Sequence, residues 1–194
     1  MKVIPATPRH ADDIVQLIMT AMTDECCQNL AGEHHTLDDF RRVMHRLVLM
    51  DDSQYSWRNA FVAVDDEAAA DINEAPVAGV IVGYDGARLH ALRSRFIEAA
   101  KSDFDMDYSQ MNDETQAGEY YIDSLAVYSH YRCRGIASML LQHLVEHAAK
   151  QSLPAALLVD KGNPRAERLY MSLGFKYVGD NTWGGHEMKH LVHG

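Results

Sequence analysis

Residues 119–174 switch repeatedly between the apolar period of a strand and that of a helix, and few chain geometries accommodate that order. The run EYYIDSLAV at 119–127 is rich in β-branched and aromatic residues and predicts a strand. After Tyr128, Ser129 and His130, the run YRCRGIAS leads into a helix. Its stripe is Ile136, Leu140, Leu141, Leu144, Val145 and Ala148, at the three- and four-residue spacing of one helical face. Pro154 then introduces AALLVD, a continuous apolar strand. Lys161-Gly162-Asn163-Pro164 turns the chain into a short helix that ends at Gly174, a residue suited to the position just past a helix. Strand, helix, strand and helix in that order form a βαβ unit, whose two strands run parallel in one sheet with the long helix crossing one face.

The flanking segments add to this unit rather than divide from it. Val3 and Ile4 open a strand, and Thr7-Pro8 starts a helix with the stripe Ile14, Leu17, Ile18, Ala21 and Met22. Thr36 and Asp39 have the spacing of a capping box ahead of Leu37, Phe40, Val43, Met44, Leu47 and Val48. The runs 60–64 and 76–82 predict two antiparallel strands joined by the acidic connection DDEAAADINEA. A helix marked by Leu89, Leu92 and Phe96 is expected to end near Lys101, and 103–118 reads as an acidic loop or lid. Phe175 to Val178 and the segment after Trp183-Gly184-Gly185 complete a mixed α/β sheet of six to seven strands flanked by helices. With 194 residues and no repeat or low-complexity linker, the chain 1–194 is expected to be a single domain carrying 87–118 as an insert.

Composition narrows the chemistry. Lys and Arg total 18 against 28 Asp and Glu, a net charge of -10, the wrong sign for gripping a nucleic-acid backbone. No apolar run approaches the ~20 residues that cross a bilayer, and the first residues turn polar too early for a signal peptide, so no membrane association and a cytoplasmic setting are expected. Three cysteines, two of them adjacent, suggest no disulfide framework. The nearest approaches to a metal pattern are Cys26, Cys27, His34 and His35, and the pair His186 and His190. Adjacent cysteines chelate one tetrahedral ion poorly, and histidines four apart on a strand lie ~13 Å apart, so no metal is expected.

The segment Arg132-Cys133-Arg134-Gly135-Ile136-Ala137 sits where a strand ends and a helix begins. Free backbone N–H groups, the helix dipole and two arginines there suit a phosphate or diphosphate. It lacks the glycine and lysine spacing of a P-loop and the glycine spacing of a dinucleotide fingerprint.

The run LAVYSHYRCRGIA resembles the acyl-CoA signature of the GCN5-related N-acetyltransferases, a strand followed by Q/R-x-x-G-x-G/A. Asn163, Ala166, Leu169, Tyr170, Leu173, Gly174 and Phe175 are similar to the family's second motif, N-x-x-A-x-x-L-Y-x-x-L-G-F, at the family's spacing. The resemblance is specific over residues 120–178 and topological before Gly86. It implies a strongly bent sheet and transfer of acetyl from acetyl-CoA to an amine by direct attack in a ternary complex. It also implies that Leu125 and Val127 pair with the pantetheine arm, that Arg132, Arg134, Gly135, Ile136, Ala137 and Ser138 hold the pyrophosphate, and that Asn163 contacts the pantetheine. Arg132 stands where Gln is commoner and Cys133 where Arg or Gly is, mild departures in a loop that works through its backbone.

By the same resemblance, Tyr170 occupies the position of the acid that protonates the departing thiolate, and a backbone N–H near Leu125 steadies the oxyanion. Asp123 is similarly placed to the carboxylate that faces the acceptor amine in spermidine/spermine N-acetyltransferases, although Ser124 replaces a second acid there. Asp123 is thus a base working through water or an amine anchor, with Glu119 as the reserve candidate. The acceptor is a small-molecule amine or a peptide amine, an N-terminus or lysine, and the rival reading is an acyl-CoA-binding module without turnover. The carboxylates Asp103, Asp105, Asp107, Asp113 and Glu114 of the insert either recognise a cationic acceptor or belong to a solvated excursion or a homodimer contact.

Overall fold

The computed structural model describes residues 1–194. Seven strands form one sheet: β1 Lys2–Pro5, β2 Ala60–Val64, β3 Val77–Asp85, β4 Tyr120–Val127, β5 Ala155–Asp160, β6 Lys176–Trp183 and β7 His186–His193. Their spatial order is β1-β2-β3-β4-β5-β7-β6, with β4 and β5 parallel and every other neighbouring pair antiparallel. The helices are α1 Ala11–Met22, α2 Asp24–Ala31, α3 Leu37–Leu49, α4 Leu89–Phe104, α5 Ile136–Lys150 and α6 Pro164–Ser172.

Strand alternation divides the core in two. Val62, Val64, Val80 and Val82 pack into a cluster with Ile14, Leu17 and Ile18 of α1, Phe40, Met44 and Leu47 of α3, and Phe96 of α4. Ala63, Ala78 and Ile81 face the other way, toward Leu140, Leu141 and Leu144 of α5. Both faces of the sheet centre are therefore covered, which is why β3 reads as an unbroken apolar run. Gly83 allows α5 to approach: a Cβ there would stand 2.8 Å from Leu144 Cδ2 and 2.7 Å from the Tyr121 carbonyl oxygen.

Some local signals form as expected and others differ. Pro8–His10 forms a 3-10 turn before α1 begins. The capping box of α3 forms, with Thr36 N donating to Asp39 Oδ2 at 2.8 Å and Asp39 N donating to Thr36 Oγ1 at 3.2 Å. Helix α4 runs to Phe104, three residues beyond Lys101, and ends at Asp105 in a left-handed conformation. α2, absent from the sequence reading, is capped by Thr23 and buries only Cys27, Leu30 and Ala31, too short a stripe to stand out. The β6–β7 hairpin turns on Gly184 and Gly185, both at positive φ as a two-residue turn of this kind requires.

Candidate active site

Two neighbouring strands part at the middle of the sheet. β4 and β5 pair only at Tyr120 with Ala155 and at Tyr121 with Ala156. Beyond those residues β5 remains paired to β7 through Asp160, and β4 remains paired to β3 through Val127. The register between β3 and β4 shifts so that Val82 faces Ser124 and Gly83 faces Ile122, leaving Asp123 as the extra residue of a bulge. Such a bulge bends and twists its strand, which here accompanies the separation of β4 from β5. Tyr128 N donates to the Ala78 carbonyl at 3.0 Å. Because antiparallel residues alternate in bonding direction, Leu125 and Val127 aim their backbone groups away from β3, into the gap.

The start of α5 lies across the end of that gap. The backbone N–H groups of Cys133, Arg134, Gly135, Ile136, Ala137 and Ser138 have no acceptor within the chain; Met139 N, bonded to the Gly135 carbonyl, is the first that does. Positive φ at Cys133 (62°) and Gly135 (78°) curls the loop so that consecutive N–H groups converge, a shape that receives an anion. Ile136 is buried and fixes the helix start in the α5 core. A Cβ on Gly135 would meet nothing within 4 Å, so the space before it is open. Arg132 Nε donates to the Val127 carbonyl at 3.2 Å, and the Arg134 guanidinium lies over the Tyr131 ring, 5.3 Å from its centroid. Both cations thus stay beside the loop. The donor set of six N–H groups and two guanidinium groups fits a diphosphate.

Asn163 is the N-cap of α6, its Oδ1 accepting from Ala166 N at 3.1 Å, and its amide nitrogen has no partner in the chain. Tyr170, on α6, is half-buried, and its ring centroid lies 6.0 Å from that of Phe175. Its hydroxyl has no hydrogen-bond partner in the chain, and burial pushes its pKa up to about 12. Leu125, Val127 and Tyr170 all pack against the α5 core cluster, which brings the gap and α6 together.

Asp123 stands in a separate polar setting. Ser124 Oγ donates to its Oδ1 at 2.9 Å, while Tyr84 Oη at 3.3 Å and Gln54 Nε2 at 3.4 Å donate to its Oδ2. Burial pushes its pKa up to about 6, against those hydrogen bonds and the Arg93 charge. No hydrogen bond joins Asp123 to Tyr170, which stand on different elements, β4 and α6.

Glu119 is engaged by other side chains. Its carboxylate receives Thr115 Oγ1 at 2.6 Å and pairs with His190 Nε2 at 3.0 Å. Burial pushes its pKa up, but these bonds outweigh burial and hold it below the usual carboxylate value. The insert is also less open than its composition suggests. Asp103 pairs with Arg46 at 2.6 Å, Asp113 with Arg93 and His90, both at 3.1 Å, and Glu114 with the buried Arg93. Asp107 accepts from Ser109 N, leaving Asp105 as the one carboxylate of the five without a partner. Asp103 ties the insert to α3, and Asp113 and Glu114 tie its loop back to α4, so these three are not free charges. Gln54 and Tyr84 were not legible as partners of Asp123: nothing local marks a glutamine in a loop or a tyrosine at the end of an apolar strand.

Several residues of the cysteine and histidine clusters have partners of their own. Cys27 donates Sγ to the Met19 carbonyl at 3.8 Å, and burial pushes its thiol up to about 12. His35 contacts the Ala31 carbonyl, and His186 pairs with Asp160 at 3.0 Å. No three His, Cys, Asp or Glu side chains converge as a metal site requires, and no helix is long and apolar enough to cross a membrane.

Comparison with known proteins agrees with this architecture. A solved structure described as an acetyltransferase superposes with a TM-score of 0.78 at 26% identity, covering 100% of this chain and 98% of its own. An N-acetyltransferase from Staphylococcus aureus Mu50 gives 0.77 at 23% identity, covering 99% and 100%. Arabidopsis thaliana NAA60, solved in complex with acetyl-CoA, gives 0.58 at 19% identity, covering 99% and 98%. None of the curated proteins matches the sequence significantly. Residues 33–175, about three quarters of the chain, match the profile of the Acetyltransferase (GNAT) family, and the chain belongs to that family.

Proposed function

We propose that this chain transfers acetyl from acetyl-CoA to an amine, on a small molecule or a peptide, by direct attack in a ternary complex. The observation that carries the reading is the row of six unpaired N–H groups at the start of α5, set beside the gap between β4 and β5. Family membership and a neighbour solved with acetyl-CoA support the choice of cosubstrate.

Acetyl-CoA, when bound, supplies an acetyl group already activated as a thioester. Residues 133–138 hold the pyrophosphate through backbone N–H groups, with Arg132 and Arg134 adding charge. Leu125 and Val127 offer backbone groups to the pantetheine amides, and the free amide nitrogen of Asn163 contacts the same arm. An amine with pKa near 10.4 enters mostly as ammonium, and losing its proton at pH 7.5 costs about 4 kcal/mol. Asp123, ionised above about pH 6, attracts that ammonium and accepts its proton through water. Tyr170 keeps its proton at neutral pH and offers its O–H as a hydrogen bond to the charge that develops on the departing sulfur, which leaves as the weaker base and takes its proton from solvent.

The test is release of CoA thiol from acetyl-CoA across a panel of amines. Release that depends on an amine supports the proposal. Acetyl-CoA binding without release above background hydrolysis, for small amines and peptides alike, would make the chain a binding module.

A further inference from the structure

Tyr84 lies between two carboxylates with one proton to give. Its Oη is 3.1 Å from Glu114 Oε1 and 3.3 Å from Asp123 Oδ2. Tyr84 is 1% exposed and Glu114 3%, so the contest takes place out of bulk solvent. Burial, with Asp123 nearby, holds the phenol pKa well above its usual value, and the hydroxyl stays protonated. The second oxygen of Glu114 accepts from Arg93 Nη2, and Arg93 is held in turn by Asp113 Oδ1 at 3.1 Å and the Met111 carbonyl at 3.3 Å.

We propose that Glu114 and Arg93, acting through the Tyr84 hydroxyl, are positioning residues that set when Asp123 carries a proton. The inference deepens the reading of Asp123 as the group facing the amine and rests on it. When Asp123 is ionised, Tyr84 donates to Asp123 Oδ2, and Glu114 is satisfied by Arg93 alone. When Asp123 is protonated, its own O–H donates to Tyr84 Oη, and the Tyr84 proton turns to Glu114 Oε1. Arg93 makes the first arrangement affordable, because a buried Glu114 without it would claim the only hydroxyl. The hydroxyl therefore turns over with each proton that Asp123 takes up or releases.

The remaining groups around Asp123 do not form such a pair. Ser124 and Gln54 donate to it, Tyr55 and Tyr121 stand near as buried neutral phenols, Cys26 and Cys27 of α2 lie beyond Tyr55, and Glu119 lies beyond Tyr121. Only Tyr84 is shared with a second carboxylate.

Two substitutions should move the Asp123 titration in opposite directions. Tyr84→Phe removes a donor to the ionised form, so its midpoint rises. In Glu114→Gln the amide oxygen serves Arg93 and the amide N–H donates to Tyr84 Oη, which leaves the phenol proton to Asp123, so the midpoint falls. The measurement is carbon-13 NMR of aspartate labelled at Cγ, with the Asp123 signal identified by its loss in Asp123→Asn, alongside the acid limb of kcat/KM. We expect shifts of about half a pH unit or more, up for Tyr84→Phe and down for Glu114→Gln, matched by the acid limb. No shift, or shifts of the same sign, would overturn the proposal. If Glu114→Gln does not fold, Arg93→Lys keeps the charge but loosens the hold on Glu114, which then competes for the hydroxyl; the Asp123 midpoint should rise, and no rise would overturn the proposal. An Asp123→Asn protein that keeps the parental kcat/KM and acid limb would instead remove Asp123 from the reaction and the positioning role with it, whatever the titrations show.

Discussion

Tyr121 and Ala156 form the last pair of the parallel ladder between β4 and β5, and the next residue but one on β4 is the bulged Asp123. One local irregularity thus accompanies the opening of the sheet, with the extra residue just past the last pair of the ladder. The α5 loop, whose N–H groups lack partners, completes the arrangement.

Gly135→Glu should abolish acetyl-CoA binding while the protein folds. The added side chain enters open space, but the left-handed backbone disfavours it by about 1 kcal/mol and its charge opposes the pyrophosphate. Calorimetry checks this, with Gly135→Ala as the control that isolates the strain. Unchanged affinity in a folded Glu variant would place the pyrophosphate elsewhere.

Tyr170→Phe should lower kcat by roughly tenfold or more with little change in acetyl-CoA affinity, since the hydroxyl acts only as charge develops on sulfur. The phenol makes no hydrogen bond inside the chain, so its removal leaves no orphaned partner to confuse the result. Single-turnover kinetics with the rate of chemistry unaltered would exclude it.

The Asp123 carboxyl has a folded pKa of about 6 against an ordinary value of 3.8, so folding favours its protonated form. The folded state then binds more protons than the unfolded one between these values, and this contribution to stability declines as pH rises through about 4 to 6. Asp123→Asn should therefore gain roughly 1–3 kcal/mol over the parent at pH 7.5 and lose that advantage at pH 4, while its activity falls. Denaturant melts at both pH values decide the matter. An Asn variant less stable than the parent at pH 7.5 would show that the ionised carboxylate is well accommodated.

Arg93→Ala should cost about 3–5 kcal/mol, because Glu114 would remain buried without its cation. Adding Glu114→Gln to that variant should recover part of the loss. A single variant with near-parental stability would mean that the pair is dispensable to the fold.

The fold was legible because its parts obey simple periods. The α5 stripe, the apolar β5 and the Asn163-Pro164 helix start fix a βαβ unit from sequence alone, and α5 and α6 were found where those signals put them. The run of unbonded N–H groups was legible as well, because a strand that ends at Val127 before a helix that starts at Ile136 leaves them whatever the side chains are. The surroundings of Asp123 were not. Gln54, Tyr84, Arg93 and Glu114 come from four separate segments, and only the tertiary fold brings them to one point. For the same reason Asp103, Asp113 and Glu114 looked free when read along the chain, whereas Arg46 on α3 and Arg93 on α4 pair with them. Pairing between distant segments leaves no trace in local composition.

The most direct test of acetyl transfer follows a carbon-labelled acetyl group from acetyl-CoA through a rapid acid quench in the presence of an accepted amine. The account predicts that label appears on the amine in step with free CoA and that none is attached to the chain, Cys133 included. Label bound covalently to the protein, or recovered only as intact acetyl-CoA while the amine stays unmodified, would contradict it.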